Sequence, residues 1–442
     1  MYFQKTKIAI ATLSVAFSST QLIAQEKEVD EILVTGKYLS TEKSNSIKSP
    51  TPIIDVPQSL SILTADEITA RGIDSVEDII SYTPGVSSSQ GEGHRDAVVF
   101  RGVRSTADFY IDGNRDDVQY FRGLYNLEQV EILRGPNALL FGRGGTGGIF
   151  NRVTKKATIG ESFTGYQASV DTFGGISTSV DTNFITSDTS SVRLNAHYDS
   201  LENHRDFFDG DRVGFNPTAR FELSENTTLD LSYEYADHER FIDRGIPSGS
   251  DLRPATELED ITFADPDQNF TTLEAHIFRA SLEHKFSESL KGNFSAFYGD
   301  YDKVYSNFFA TQSDLDSQFN VSEPTFGFAT PAEFANNPNV TIPGVENLVA
   351  LDGYIDTTER ENLILSANLV SEFSTGSVEH TLIFGAEYID TSSDQNRFNS
   401  NFASNDNDVA LFDPSRPIDF RNGTGTVSVS YTHLTLPTIY SV

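Results

Sequence analysis

The chain has no cysteine, no tryptophan and a single methionine in 442 residues. Without cysteine there is no disulfide framework and no thiolate metal site. Long apolar runs are equally scarce: beyond residue 24 no stretch of about eighteen apolar residues occurs, so no transmembrane helix is expected in the exported protein. Basic residues number 32 against 64 acidic ones, a net charge of −32, and such a chain lacks the basic surface that a nucleic-acid partner requires. Charge on this scale can accompany disorder, but 38% hydrophobic and 11% aromatic residues argue that most of the chain folds. Catalytic signatures are missing too. There is no GxSxG and no HExxH, and the 8 histidines show no ligand spacing, so neither an enzyme nor a resident cofactor or metal is expected.

One motif invites a different reading. "GRGGTGGIFNRVTKK" contains a literal GxGxxG at Gly142, Gly144 and Gly147, with Glu161 about twenty residues on. A dinucleotide fingerprint needs its last glycine to open a helix, whose N-terminus holds the pyrophosphate. Here Ile149, Asn151, Val153 and Lys155 alternate with Phe150, Arg152 and Thr154, a period of two that leads into a strand. The Gly-Lys-Ser/Thr of a P-loop is absent as well. The glycines are expected to serve tight turns and close backbone packing.

The first residues read as an address. Lys5 and Lys7 precede the apolar run 8–17 and the small or polar residues up to Ala24, the layout of a secretory signal cleaved near that position. From about residue 190 onward the texture is β. In "SVRLNAHYDS", Val192, Leu194, Ala196 and Tyr198 alternate with Arg193, Asn195, His197 and Asp199, and similar dyads recur to about residue 388. Each is about 9–13 residues long, enough for a tilted strand to cross hydrocarbon, whereas strands of a soluble sandwich are usually about 5–6. Short links near 187–190, 224–227, 287–288 and 374–377 alternate with long ones, the asymmetry of a transmembrane barrel. About ten strands can be counted. An unclosed barrel would leave a strand edge in lipid, so the chain is expected to be a fragment, with the last dozen or so residues foreign to the pattern.

Residues 50–157 differ from both neighbours. "LTADEITARG" offers Thr64 and Glu67 as a capping box, "DSVEDIISYTPG" offers Asp74 or Ser75 as a cap, and short strands follow at 98–102, 109–112 and 129–133, a compact α+β domain. The segments "VPQSLSILTADEITARG", "DIISYTPGV", "VFRGV", "FYIDG" and "YNLEQVEILRGPNALLFGRGGTGGIFNRVTKK" resemble, in order and spacing, the plug of TonB-dependent outer-membrane receptors. "NHRDF" (203–207) and "DRGIPSG" (243–249) are similar to segments of the siderophore-receptor branch, and the latter with "FADPDQNF" looks most like catecholate-type receptors.

The resemblance implies a mainly β protein: an antiparallel transmembrane barrel of about 22 strands, just under half of them present here, preceded by an α+β plug inside the lumen. The expected organisation is a signal peptide (1–24), a TonB-box segment and linker (25–49), the plug (50–157) and an incomplete barrel (158–442). "VDEILVTGK" resembles the TonB box, with Glu31, Ile32, Leu33, Val34 and Thr35 as the strand added to TonB. The implied function is uptake of ferric siderophores across the outer membrane of a Gram-negative bacterium, energised by TonB and its ExbB–ExbD motor, with the iron chelate as cargo and a monomer in outer-membrane lipid. Haem, cobalamin, oligosaccharides or a secreted β-rich binding protein are the alternatives. The candidate cargo residues are His94, Arg95, Arg115, Tyr120, Phe121 and Arg122, at the plug's expected apices. Glu131 and Arg134 resemble plug charges that pair with the barrel wall.

Overall fold

The computed structural model describes residues 58–89, 91–106, 108–135, 147–246, 253–254, 256–314, 327–328, 348–400, 409–412 and 431–435. The expected signal segment, the TonB-box residues Glu31 to Thr35, Gly142 and Gly144 lie outside the described residues, as does most of the unusual C-terminal stretch.

β1 (Ser59–Thr64) runs directly into α1 (Ala65–Arg71), and their junction is the expected capping box. The Glu67 N–H donates to Thr64 Oγ1 at 3.3 Å and the Thr64 N–H donates to Glu67 Oε2 at 3.1 Å, satisfying donors that a helix start leaves open. α2 (Val76–Ser81) takes Ser75 as its cap and buries Val76, Ile79 and Ile80. The strands that follow are β2 (Val86–Ser88), β3 (Val98–Phe100), β4 (Val103–Ser105), β5 (Phe109–Ile111), β6 (Asn114–Arg115), β7 (Leu127–Arg134) and β8 (Gly148–Thr154). They build a mixed sheet in the order β1-β7-β8-β5-β6 and a small antiparallel sheet β2-β3-β4. Ile68, Ile79, Val98, Phe109, Ile132 and Phe150 meet in one core beneath them. The glycine-rich segment does lead into a strand: β8 lies between β7 and the parallel β5. A Cβ on Gly148 would sit 2.5 Å from the Leu133 carbonyl oxygen and from Phe100 Cδ1, so close packing is what requires glycine there.

A second sheet of twelve strands follows. Its long members are β9 (Phe163–Val170), β10 (Ile176–Ser187), β11 (Ser190–Glu202), β12 (Asp209–Ser224), β13 (Thr227–Phe241), β14 (Phe270–Ser287) and β15 (Leu290–Asp314). After the short β16 (Gly327–Phe328) come β17 (Leu348–Thr375), β18 (Val378–Asn399), β19 (Val409–Phe412) and β20 (Tyr431–Thr435). The long strands form one antiparallel meander in chain order. Among the described residues β9 and the far end of the sheet do not pair, so the barrel is open.

Polarity along these strands is inverted relative to a soluble sheet. On β11 Arg193, Asn195 and Asp199 are buried, while Leu194 and Ala196 are half-exposed and Tyr198 is exposed. The polar side faces the lumen and the apolar side faces outward, as a lipid-facing wall demands. Aromatic rings line up across that outer face, with Tyr233 and Phe278 at 4.7 Å and Phe278 and Tyr298 at 6.4 Å between ring centroids. Such a row is the girdle that marks a membrane interface.

Beyond the girdle, towards the long-loop rim, outward positions turn acidic. Asp211 faces Glu239, Asp237 faces Glu274 and Asp300 faces Glu361 across neighbouring strands. The strands continue through this zone, so β15 reaches 25 residues and β17 reaches 28, well past the expected length. The loops are correspondingly shorter than the sequence pattern suggests, because alternation is invisible where both faces are polar.

The opposite rim repeats one device. In the turns after β10, β12 and β14 the second turn residue, Thr189, Asn226 or Ser289, donates its N–H to the hydroxyl of Ser187, Ser224 or Ser287. The carbonyls of Thr189, Asn226 and Ser289 then accept from Glu222, Lys285 and Glu372 on the next strand but one, at 2.8 to 2.9 Å. Pro217 sits mid-sheet on β12, where its missing N–H interrupts the ladder to β13. Asn216 fills the gap, its side-chain amide donating to the Tyr233 carbonyl at 2.6 Å.

Candidate functional site

The loop between β6 and β7 folds around a buried carboxylate. Asp116 Oδ2 accepts from Arg122 Nε at 2.9 Å, Arg152 Nη2 at 2.7 Å and the Tyr120 hydroxyl at 2.9 Å. Burial opposes its charge, yet the two arginines hold its pKa below the ordinary carboxylate value. Arg122 also donates to the carbonyls of Val118 and Asp116, and its backbone N–H binds Asp96. Its guanidinium lies 3.9 Å from the centre of the Phe109 ring. Arg122 and Tyr120 are therefore 1% and 4% exposed and committed to one another's neighbours. Direct contact with a ligand is not open to them in this arrangement.

His94 is held in a second cluster. Its ring stacks on Tyr305 of β15 at 3.8 Å, with Lys303 Nζ and Arg95 Nη1 each 2.5 Å from one of its nitrogens. Arg95 reaches on to Glu92 at 2.8 Å, and the Tyr305 hydroxyl donates to the Glu92 carbonyl at 3.0 Å. Burial, reinforced by Lys303 and Arg95 and opposed by the Glu92 hydrogen bond, pushes the His94 pKa down to about 3 from 6.5. The ring is neutral and serves as a joint between the first domain and the wall.

Ion pairs fasten the rest of that interface, and among the described residues Arg134, expected to make one, does not. Arg134 donates to the hydroxyls of Ser59 and Ser61 on β1, both at 2.8 Å, and Glu131 accepts from Gln129 and Asn151 within its own sheet. The pairs to the wall come instead from Asp117 with Arg360 of β17 (2.8 Å) and Asp112 with Arg279 of β14 (3.5 Å). Lys155 with Asp181 and Lys156 with Asp230 add two more at 3.0 Å. Asp112 is presented by an Asp-Gly turn between β5 and β6, with both residues at positive φ.

At the long-loop rim the two other sequence segments meet. Arg205, from "NHRDF", pairs with Asp243, from "DRGIPSG", at 2.5 Å, and also donates to the Glu259 and Ile261 carbonyls. Asn269, from "FADPDQNF", ties the Ile242 and Phe308 carbonyls together at 3.0 and 2.9 Å. Segments far apart in the chain thus meet at one rim. Among the described residues no group of three or more His, Cys, Asp and Glu side chains is arranged to hold a metal.

Comparison with known proteins agrees with this architecture. Residues 52–149 match the TonB-dependent Receptor Plug Domain family. Over 236 residues the chain is 30% identical to a probable TonB-dependent receptor, BfrD, of Bordetella pertussis, covering 52% of this chain and 32% of that protein. Over 394 residues it is 26% identical to the catecholate siderophore receptor Fiu of Escherichia coli K12, covering 83% and 49%. The crystal structure of the siderophore receptor PiuA from Acinetobacter baumannii superposes with a TM-score of 0.70 at 22% identity, over 91% of this chain and 55% of that one. The chain spans a third to about half the length of the curated relatives it matches.

The wall strands β10, β13, β14 and β17 carry the partners of the first domain's ion pairs. Of the expected cargo residues, Arg115 and Phe121 are the half-buried ones; His94, Arg95, Tyr120 and Arg122 are buried. Arg115 lies 3.4 Å from Asp117, beside the Asp117–Arg360 tie. The sequence reading missed Asp112, Asp117, Arg205, Arg240 and Arg360. The signal for Arg240 was present in "DHERF": a histidine and an arginine two apart on a strand must share a face.

Proposed function

We propose that this protein is an outer-membrane receptor for TonB-dependent uptake of ferric siderophores, with catecholate-type chelates as the cargo class. The observation that carries the reading is a plug domain whose charged loops are fastened to the inner wall of a lipid-facing barrel by Asp117–Arg360, Asp112–Arg279 and His94–Lys303. Such a plug closes the lumen to passive flow while leaving polar, separable contacts that a pulling partner can break. No bond in the cargo needs to be made or broken. The partner is TonB, pairing with residues 31–35 by strand addition and powered by the inner-membrane ExbB–ExbD motor. The receptor acts as a monomer. The likeness to Fiu and PiuA supports the siderophore cargo, and the meeting of Arg205 with Asp243 supports a shaped mouth.

The test is growth. An iron-starved Gram-negative host lacking its own catecholate receptors is given the complete receptor gene and supplied with defined ferric catecholates. Rescue that disappears when TonB is deleted is the expected result; rescue by no ferric chelate at any concentration refutes the assignment.

A further inference from the structure

Arg240 is inward-facing on β13, with two aromatic rings against its guanidinium. Its guanidinium carbon is 4.3 Å from the centre of the Phe121 ring of the plug and 5.0 Å from that of Phe208 in the β11–β12 loop. Among the described residues no group accepts a hydrogen bond from it, and its Nε is buried without a partner. Asp96, the carboxylate that acts on it electrostatically, is already taken by Arg122.

Its neighbours repeat the pattern. His238, two residues earlier on the same face, is 5% exposed with Nε2 unpartnered. Arg212, paired with His238 across the sheet, keeps one nitrogen on Asp199 at 2.8 Å and leaves a buried Nε unmet. Space was kept for the group: opposite Arg240 stands Gly210, where a Cβ would fall 2.7 Å from the arginine's own Cβ. Buried donors without acceptors are rare because each forfeits its hydration. Two such N–H donors, of Arg240 and Arg212, beside the unpartnered His238 Nε2 on one patch of wall among the described residues, in a chain of net charge −32, mark a place where an acceptor is missing rather than unneeded.

We propose that Arg240, flanked by Phe121 and Phe208 and backed by His238 and Arg212, is an anion-recognition point that makes the receptor select net-anionic ferric chelates over neutral ones. The inference rests on the receptor function proposed above. The two rings flank the guanidinium and leave its N–H groups as the unmet donors, which suits the paired oxygens of a catecholate or carboxylate. A neutral hydroxamate chelate offers no charge to match. Phe121 belongs to the plug and Phe208 to a loop, so occupancy of this point touches both sides of the plug–wall interface.

The experiment compares the complete receptor, purified in detergent, with its Arg240→Gln variant and with Lys285→Gln, which alters a charge at the opposite rim. Equilibrium binding is measured with iron-labelled ferric tris(2,3-dihydroxybenzoate), which is anionic, and with ferric tris(acetohydroxamate), which is neutral. Arg240→Gln is expected to weaken the anionic chelate by at least about tenfold and to leave the neutral one within about threefold, while Lys285→Gln changes neither. Arg240 has no internal hydrogen bond to lose, so the variant should fold, which heat-modifiable gel mobility verifies. Should it not, Arg240→Lys, which keeps the charge but loses the fork of donors, is expected to lower affinity for the anionic chelate alone. An unchanged affinity for the anionic chelate, or equal losses for both, overturns the proposal while the receptor function stands. If the parent binds neither ferric chelate, the receptor function falls and titration with free 2,3-dihydroxybenzoate decides the anion point: binding that depends on Arg240 upholds it, and absent or Arg240-independent binding overturns it.

Discussion

Asp116 shows how a single carboxylate can organise the plug. Two arginines and a tyrosine converge on its Oδ2, and none of the four side chains is more than 4% exposed. Replacing it by Asn removes the charge between Arg122 and Arg152 and leaves Asp96, on Arg122, as the remaining carboxylate partner. Losing one partner of a buried network of this kind costs about 3–5 kcal/mol. Asp116→Asn should therefore expose the plug to protease at markedly lower urea concentrations than the parent, and an unchanged midpoint would show that the network carries no stability. His94 gives a pH signature. The unfolded ring takes up a proton near 6.5 and the folded ring only near 3, so in that window the unfolded state binds more protons and stability falls as pH is lowered. One such group contributes at most about 1.4 kcal/mol per pH unit. Amide exchange of residues 91–97, corrected for its intrinsic rate, should accelerate by up to about tenfold per unit below pH 6, and His94→Gln should remove that excess. Arg122 also marks the limit of reading by residue type. Sequence identifies an arginine near a loop apex, but whether it points at solvent or at an aspartate six positions away is settled by packing. Arg122 turned inward, whereas Arg240, in a strand, was left without a partner.

Elements with local chemistry were legible from the sequence. The capping box at Thr64 and Glu67, the cap at Ser75 and the serine-led short turns all depend on residues within a few positions of each other. The lipid-facing stretches of β11 to β15 were legible because lipid enforces alternation. Above the aromatic girdle both faces are polar and the period carries no apolar signal, so the upward extensions of β15 and β17 were read as loop. The pairings of Asp117 with Arg360 and of Arg205 with Asp243 join distant segments, and nothing in one sequence marks such partners. The proposed pairing of residues 31–35 with TonB belongs to this scale as well. Leu33→Pro removes an N–H from the added strand and restricts the residue before it, so TonB pairing is weakened while the distant mouth is untouched. Uptake of ferric catecholate should be abolished with surface binding retained; normal uptake would place the box elsewhere.

Across the whole molecule the net charge of −32 is sorted by position. Carboxylates collect on the outer face above the girdle, charges of both signs line the lumen, and the first domain meets the wall partly through pairs of opposite sign. That interface combines the ion pairs with an apolar patch, in which Ile111, Val118 and Tyr120 of the first domain pack against Leu273, Ile277, Phe297 and Ile364 of the wall. The most direct test of this account uses the absence of cysteine from residues 1–442: Asp117→Cys with Arg360→Cys, in a receptor with any other cysteine replaced by serine, places two thiols across the plug–wall interface, where a short bifunctional thiol-reactive reagent that forms reducible disulfides can join them. Uptake of iron-labelled ferric tris-catecholate is then measured in cells carrying the complete receptor, before and after reduction, with surface binding scored in parallel. The account predicts that the joined receptor binds the chelate but does not transport it, and that reduction restores transport. Transport at the unjoined rate by fully joined receptor would contradict a plug that must leave the wall for cargo to pass.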